Sequence, residues 1–389
     1  MHRLLSYALR SLWARRTTTL ATGGGIALLV FVLAAAGMLS NGIRQTLRSA
    51  GDPSRAIVLE HDKWAEQGSR LPQSVVGKVA AAPGVKRDAQ GQPLVTGETV
   101  THLMIGDASV ARLSTLQIRG VDANALELRP GVHILSGRAI HPNTAEALVG
   151  RGILGQQPGL VLGGSFELAP GRSAQVVGVF ENGGSVLESE VWVDLHTARV
   201  ALALEGNVNS ITATLEDPDL FDAFALTLTQ DKQDGLDVAR ETAYYDKISS
   251  GMADVIMALG FAEAFIFSLG AVCATMIVFY GAVAQRRREV GVLRALGFGR
   301  LTILSAFLAE SVALSLAGGA VGAALALLTP WLDFNSINFT TGQDVAFRFQ
   351  PSAQALLVSI AVAAAVGTLG GVLPAIRAAR MHPVLAMRA

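Results

Sequence analysis

Four stretches of the chain are almost continuously apolar: residues 18–39, 252–284, 301–328 and 353–375. Each supplies the roughly 20 residues that a helix needs to cross about 30 Å of hydrocarbon, so four membrane spans are predicted. The second run is too long for one crossing, reaching roughly 48 Å at helical rise, and predicts a helix projecting beyond the lipid. Between the first two runs the pattern changes to short alternating segments bounded by Gly, Pro and Asp. Residues 56–60, 94–103, 115–121, 165–168, 175–180, 191–193 and 210–215 read as strands. Residues 71–82 and 217–229 read as amphipathic helices, the second with an Asp-Pro start. The expected fold is a four-span α-helical membrane domain plus an α+β extracytoplasmic domain in two lobes.

Orientation follows from Lys and Arg near the span ends, because short cytoplasmic segments are enriched in them. Arg3, Arg10, Arg15 and Arg16 precede the first span; Arg286, Arg287, Arg288, Arg294 and Arg300 fill the link between the second and third; Arg377, Arg380 and Arg388 follow the fourth. The link 331–350 carries only Arg348, against Asp333 and Asp344. These clusters share one side if both termini are cytoplasmic. The expected order is a cytoplasmic amphipathic helix over 1–17, a span over 18–40, an external domain over 41–251 and a second span with an external extension over 252–284. A cytoplasmic helix and loop over 285–300, a span over 301–329, an external loop over 330–352, a span over 353–376 and a cytoplasmic tail over 377–389 complete it. A rival reading makes residues 1–36 a cleaved signal peptide ending at Ala34-Ala35-Ala36. The long basic stretch and the full-length apolar run favour the span.

Composition narrows the chemistry. Of 389 residues 51% are hydrophobic and 16% charged, the formal net charge is zero and the mean hydropathy is +0.42. A soluble domain carries about a quarter of its residues as charge, and a neutral chain gives nucleic acid no electrostatic footprint. The lone Cys273 excludes an internal disulfide or a cysteine-based metal site. No Gly-x-x-x-x-Gly-Lys-Ser/Thr phosphate cradle and no Gly-x-Ser-x-Gly elbow occurs. His133 and His141 lie across a loop-like Gly/Arg stretch with no glutamate at metalloprotease spacing, and Val161-Leu162-Gly163-Gly164 reads as a turn before a strand. No catalytic residue, metal site or cofactor of the chain's own is expected.

Three features remain as candidates. In the second link Val290, Leu293 and Leu296 recur every three residues beside Arg286, Arg287, Glu289 and Arg294, and Gly297 follows. That predicts a short amphipathic helix at the membrane surface, serving as a basic anchor for its spans or as a docking element. Glu263 and Glu310 stand in apolar runs, where carboxylates are costly and face a partner or water; for Glu310 the expected partners are Ser/Thr of a neighbouring span or the N-terminal basic helix. Gly318, Gly319, Gly322, Gly367, Gly370 and Gly371 predict close helix–helix approach.

Several segments together resemble one family. Gln285-Arg-Arg-Arg-Glu-Val-Gly-Val-Leu-Arg-Ala-Leu-Gly-Phe-Gly-Arg300, continuing to Phe307-Leu-Ala-Glu310, resembles the "RR-x-EIG-x-LRALG … FL-x-E" link of the MacB/FtsX-type permeases, the type VII ABC transporters. Pro374-Ala-Ile-Arg-Ala-Ala-Arg380-Met-His-Pro383-Val-Leu-Ala is similar to their C-terminal "P-A-x-R-A-A-R-x-x-P-x-x-A-L", and residues 9–20 to their basic N-terminal helix. Leu135-Ser-Gly-Arg138, Ala147-Leu-Val-Gly150 and Val176-Val-Gly-Val-Phe180 fall where strand motifs of the MacB-type periplasmic core lie. The resemblance implies an inner-membrane permease subunit that binds no nucleotide itself. ATP and Mg would sit in a partner ATPase docked on 285–300, flanked by Arg377, Arg380 and Pro383. It implies a second copy or a paralogue, and mechanotransmission driving export through a periplasmic adaptor. Lipoprotein extraction, or regulation of a cell-wall hydrolase, are the alternatives within the family. The chain differs from MacB proper in lacking a fused ATPase domain, from FtsX in its larger external domain, and from the antimicrobial-peptide permeases in having four spans.

Overall fold

The computed structural model describes residues 16–105, 114–202, 206–230, 235–331, 333–337 and 344–382. In chain order, helix α1 (Arg16–Arg48) leads to β1 (Arg55–Glu60), a 3-10 turn at Glu66–Gly68, β2 (Leu71–Pro72), α2 (Gln73–Ala80), β3 (Val95–Ile105) and β4 (Ser114–Val121). There follow α3 (Ala125–Leu128), β5 (His133–Gly137), β6 (Glu146–Gly150), β7 (Ser165–Ala169), β8 (Arg172–Glu181), β9 (Glu190–Asp194) and α4 (Leu195–Leu202). Then come β10 (Asn207–Val208), β11 (Ser210–Thr214), α5 (Phe221–Thr229), β12 (Leu236–Arg240), α6 (Glu241–Gln285), α7 (Arg287–Ala295) and α8 (Arg300–Ala326). A hairpin, β13 (Asp333–Ile337) and β14 (Asp344–Arg348), and α9 (Ala353–Ala379) complete the described elements. It divides into a helical unit (up to Asn41, Asp254–Leu332 and from Phe349) and an α+β unit (Gly42–Ala253 and Asp333–Arg348).

In the helical unit α1, α6, α8 and α9 are each long and apolar enough to cross a membrane, one for each apolar run. Lipid tails are as apolar as leucine, so helices associate through close packing of small residues. A Cβ at Gly318 would lie 2.6 Å from the Gly23 carbonyl oxygen, and one at Gly322 2.2 Å from that of Ala27, so α8 rests on the α1 backbone. On α9 a Cβ at Gly367 would sit 2.5 Å from Ser315 Oγ, at Gly371 2.6 Å from Ser311 Cβ and at Gly370 2.7 Å from Thr275 Cβ of α6. Closeness brings hydrogen bonding with it: Ser311 Oγ donates to the Gly367 carbonyl at 2.6 Å.

The α+β unit is built on a ten-stranded sheet in the order β12-β1-β11-β3-β4-β9-β6-β8-β5, with β7 on β8. Its pairs are antiparallel except β4 with β9 and β6 with β8. Strand alternation gives it two different faces. One carries two apolar cores, around Val58, Val75, Ile211 and Phe224 and around Ile118, Val149, Phe166 and Val191. The intervening residues carry charge. Arg119 of β4 is 1% exposed and is bound by Glu66, Glu98 and Glu190 at 2.9, 2.6 and 2.8 Å. Glu98 also accepts from Arg129, Trp192 Nε1 donates to Glu190, and Ser210 Oγ donates to Glu66. Burial pushes the Glu98 carboxyl up, but Arg129 and Arg119 outweigh it and hold the group below its ordinary value.

Both long helices that leave the helical unit contribute here. The apolar run 18–39 predicts a helix ending near Leu39, whereas α1 continues to Arg48 with Ile43 and Leu47 buried. The second run starts at 252, yet α6 begins at Glu241. Its first turns are polar in sequence but bury Tyr244, Tyr245 and Ile248, an amphipathic pattern that a search for continuous apolarity passes over. Arg55 Nε of β1 binds Glu241 at 2.5 Å, and the backbone N–H of Glu66 donates to Tyr244 Oη at 3.3 Å.

Other expectations change in detail. The helix read over 71–82 is split: Leu71 pairs with Val208, and Pro72, extended at ψ 143°, precedes a helix of 73–80. The stretch after His133 is strand β5, and Arg138 just beyond it binds Glu146 at 2.5 Å, with His141 at 2.7 Å. The segment 330–352, expected as a loop, contains the β13–β14 hairpin.

Two predictions follow from close packing and buried charge. Gly367→Leu, which must displace Ser315 and the Val312 backbone, is expected to lower stability by about 1–3 kcal/mol in chemical unfolding of the detergent-solubilised chain; Gly270→Ala, in open space, is expected to leave it unchanged. Arg119→Met takes the guanidinium from Glu66 and Glu190, while Glu98 keeps Arg129, and is expected to cost about 3–5 kcal/mol, read from tryptophan fluorescence. The stabilisation from Glu98 is complete above the ordinary carboxylate pKa of 4.5 and is lost as pH falls through its depressed folded value.

Candidate coupling site

The residues linking α6 to α8 are organised by one ion pair and one helix stop. Arg286 lies between α6 and α7 with φ −97° and ψ 18°, breaking the helix for one residue. Its guanidinium turns back on α8 and holds Glu310 through Nη1–Oε2 at 2.8 Å and Nη2–Oε1 at 3.3 Å. The two side chains are 14% and 7% exposed, and the Phe307 ring centroid lies 6.0 Å from the guanidinium. A two-pronged, ring-backed contact is what arginine provides and lysine does not. Glu310 is thus paired, as expected, and Arg286 is one partner; the basic N-terminal segment, also expected as a partner, lies outside the described residues up to residue 15. Arg286, expected on the docking surface, has most of its side chain buried in this brace.

Helix α7 itself is fastened by Val290, which is 2% exposed and packs with Val283, Ile303, Phe307, Ala375 and Ala378. The expected stripe of Val290, Leu293 and Leu296 does not stay on one face. Three-residue steps fall short of a helical turn by about 60° each, so Leu293 is half-buried and Leu296 is 72% exposed. Gly297 ends the helix at φ +92°, where the Phe298 N–H bonds to the Leu293 carbonyl at 3.1 Å and the Gly297 N–H to that of Arg294 at 3.2 Å. That is a Schellman stop, and glycine takes its left-handed position without strain.

The result is an outward surface of Arg287, Arg288, Glu289, Val292, Leu296, Phe298, Arg300 and Leu301. Arg294, half-buried, closes the turn by donating to the Phe298 carbonyl at 3.3 Å. Val292, Phe298 and Leu301 escape a search for helical stripes because two of them lie in or after the Gly297–Gly299 turn. Arg377 is exposed on the last turns of α9 with its guanidinium 5.6 Å from the Tyr280 ring, and Arg380 is exposed at the helix end. Pro383, Arg10 and Arg15 lie outside the described residues; Arg16 begins α1. Glu263 is exposed on α6 among Leu259, Phe265, Ile266 and Phe267. Among the described residues no cluster of His, Cys, Asp and Glu could hold a metal.

Two family descriptions match the chain: a MacB-like periplasmic core domain over residues 17–230 and an FtsX-like permease C-terminal domain over 261–383. Among curated proteins it is similar to the macrolide export ATP-binding/permease protein MacB of Brucella abortus, 29% identical over 228 residues, covering 55% of this chain and 33% of that protein. MacB 1 of Aeromonas hydrophila is 26% identical over 311 residues, covering 75% and 46%. The chain spans less than half the length of either relative. Among solved structures, the periplasmic region of MacB from Actinobacillus actinomycetemcomitans matches at TM-score 0.38 and 12% identity, covering 53% of this chain and 97% of that one. The extracellular domain of YknZ from Gram-positive bacteria matches at TM-score 0.35 and 13% identity, covering 48% and 99%.

Removing one member of the brace takes a two-pronged counter-charge from a largely buried group. Arg286→Met is expected to destabilise by about 3–5 kcal/mol, and Arg286→Met combined with Glu310→Leu to recover most of that loss. Chemical unfolding of the four chains of this double-mutant cycle provides the check.

Proposed function

The chain belongs to the MacB/FtsX-type ABC permeases, and we propose that it couples a separate ATPase to movement of its α+β unit by mechanotransmission. The single observation that carries this reading is the construction of the α6–α8 link. Its inner side is fixed to the helical unit by Val290 and the Arg286–Glu310 brace, while its outer side offers Leu296, Phe298 and Leu301 beside Arg287, Arg288 and Arg300. Exposed apolar residues rimmed by charge mark a contact for another protein. A partner gripping that surface would move α6 and α8 with it, because the link cannot yield independently. Helix α6 has 45 residues, roughly 68 Å at helical rise, and runs unbroken into the residues bound by Arg55 and Glu66.

In this reading 285–300, Arg377 and Arg380 face the cytosol of a bacterium, both termini are cytoplasmic, and the α+β unit lies outside the inner membrane. ATP and Mg bind in the partner. A second copy or a paralogue completes the transporter; the exposed Glu263 in an apolar face of α6 supports a protein contact there, since a lipid-facing carboxylate is costly. Export of a hydrophobic or amphipathic substrate with a periplasmic adaptor is the transport role favoured, in line with the relatives named for macrolide export.

Leu296→Asp, on an exposed side chain, is expected to abolish co-purification of the ATPase from native membranes, and Gly297→Pro to do the same by breaking the helix stop. Unchanged recovery of the ATPase and unchanged ATP turnover with both variants would remove the coupling assignment.

A further inference from the structure

A cavity in the α+β unit lies at the C-terminal ends of the parallel pair β4 and β9. Its floor is Leu148 and Trp192, its walls include Leu126, Ile140 and Pro142, and Asp122 and Asp194 stand at the strand ends. Asp194 caps α4, accepting from the backbone N–H of Thr197 at 3.0 Å and from its hydroxyl at 3.2 Å. Asp122 accepts only a long bond from Thr96 Oγ1 at 3.3 Å, and neither carboxylate has an ion pair within 4 Å among the described residues. The other charges that act on Asp122 are Arg199, which is favourable, and Glu98, which is not. Asp122 is solvent-exposed and Asp194 buried; partial desolvation, with Glu98 and Asp194 adding to it, raises the Asp122 carboxyl above its ordinary value despite Thr96 and Arg199. The site is short of positive charge.

Size decides what can supply it. The cavity opens about 40 Å³ to the centres of water molecules, and one water needs about 10–15 Å³ on that measure. It has room for roughly three waters, which is one aliphatic side chain with a charged tip. A macrocycle or a lipid chain is too large, and a bare anion meets two carboxylates. Long basic side chains suit such a place, because their methylenes cover apolar surface while the head group stays at the rim.

We propose that this cavity is an anchor pocket for one lysine or arginine side chain of a protein that docks on the α+β unit. The methylenes lie against Trp192 and Leu148, and the cationic tip sits between Asp122 and Asp194. Anchoring side chains that fill pockets and exclude water on docking carry a large share of the energy in protein–protein interfaces. The pocket belongs to the α+β unit and the α6–α8 link to the helical unit, so the inference holds or fails independently of how the ATPase is coupled.

Disulfide tethering on the full-length chain in lipid nanodiscs tests it. Ala139, exposed on the rim, is changed to Ala139→Cys in a Cys273→Ser background and equilibrated with equimolar cystamine, bis(2-hydroxyethyl) disulfide and dithiodipropionate. Intact mass reads the adducts. The ethylammonium adduct is expected to exceed the neutral one by about fivefold, the scale of one partly screened ion pair, and Asp122→Asn to bring the two near parity. Parity in the parent, or a preference that survives Asp122→Asn in a chain with unchanged near-ultraviolet circular dichroism, would overturn the pocket. Acetyl-Gly-Ala-Lys-Ala-Gly-amide is then added against its norleucine counterpart and against butylammonium. Displacement by the lysine peptide at concentrations where the other two are inert supports a protein anchor. Equal displacement by butylammonium makes this a small-amine site and sinks the docking proposal.

Discussion

A guanidinium removed from water must find carboxylates to replace it, and Arg119 organises the α+β unit by that rule. It draws Glu98 from β3, Glu190 from β9 and Glu66 from the turn after β1 to one point. Through Glu98 it engages Arg129 as well. Taking these charges out of water is expensive, and their mutual attraction balances the cost only when every group is in place. The arrangement therefore specifies geometry more than it adds stability. Tyr244 and Glu241 at the start of α6 are held by Glu66 and Arg55 beside it, so the first turns of α6 are part of the same construction.

The helical unit solves the opposite problem. Apolar side chains there gain nothing from leaving lipid, so α1, α8 and α9 are held by shape: glycines against a neighbouring backbone and hydroxyls against exposed carbonyls. The Arg286–Glu310 ion pair sits where the chain turns from α6 toward α8. Small residues let the helices meet, and the charge pair fixes the link that follows.

Much of this was legible in the residues because its physics is local. Four long apolar runs have no soluble alternative, and all seven expected strands are present because alternation and flanking turns are short-range signals. The glycine contacts of α8 and α9 were likewise visible from composition in an apolar run. What escaped was set by distant partners. Nothing around Arg286 says that it leaves the basic cluster for Glu310, twenty-four positions on. Tyr244 and Ile248 sit in a polar lead-in, and their burial depends on residues distant in the sequence. Strand β5, exposed along most of its length, lacks the apolar alternation that marks a buried strand, and β12 is a short edge strand with one strongly buried residue. In the candidate coupling surface the helix and its glycine stop were readable, whereas the outward group Val292, Phe298 and Leu301 depends on how the turn is folded.

The Arg286–Glu310 brace also bears on how the protein is made. A single acidic or basic residue at the middle of a span adds about 2.5–3.5 kcal/mol to membrane insertion. Glu310 lies ten residues into α8, and its counter-charge arrives at the end of α6, ahead of it on the growing chain. A ribosome delivers α6 first, so the guanidinium is waiting when the carboxylate reaches the bilayer. Neutralisation within one helical hairpin offsets that cost when α6 and α8 enter the bilayer as a pair, so the brace favours their insertion together.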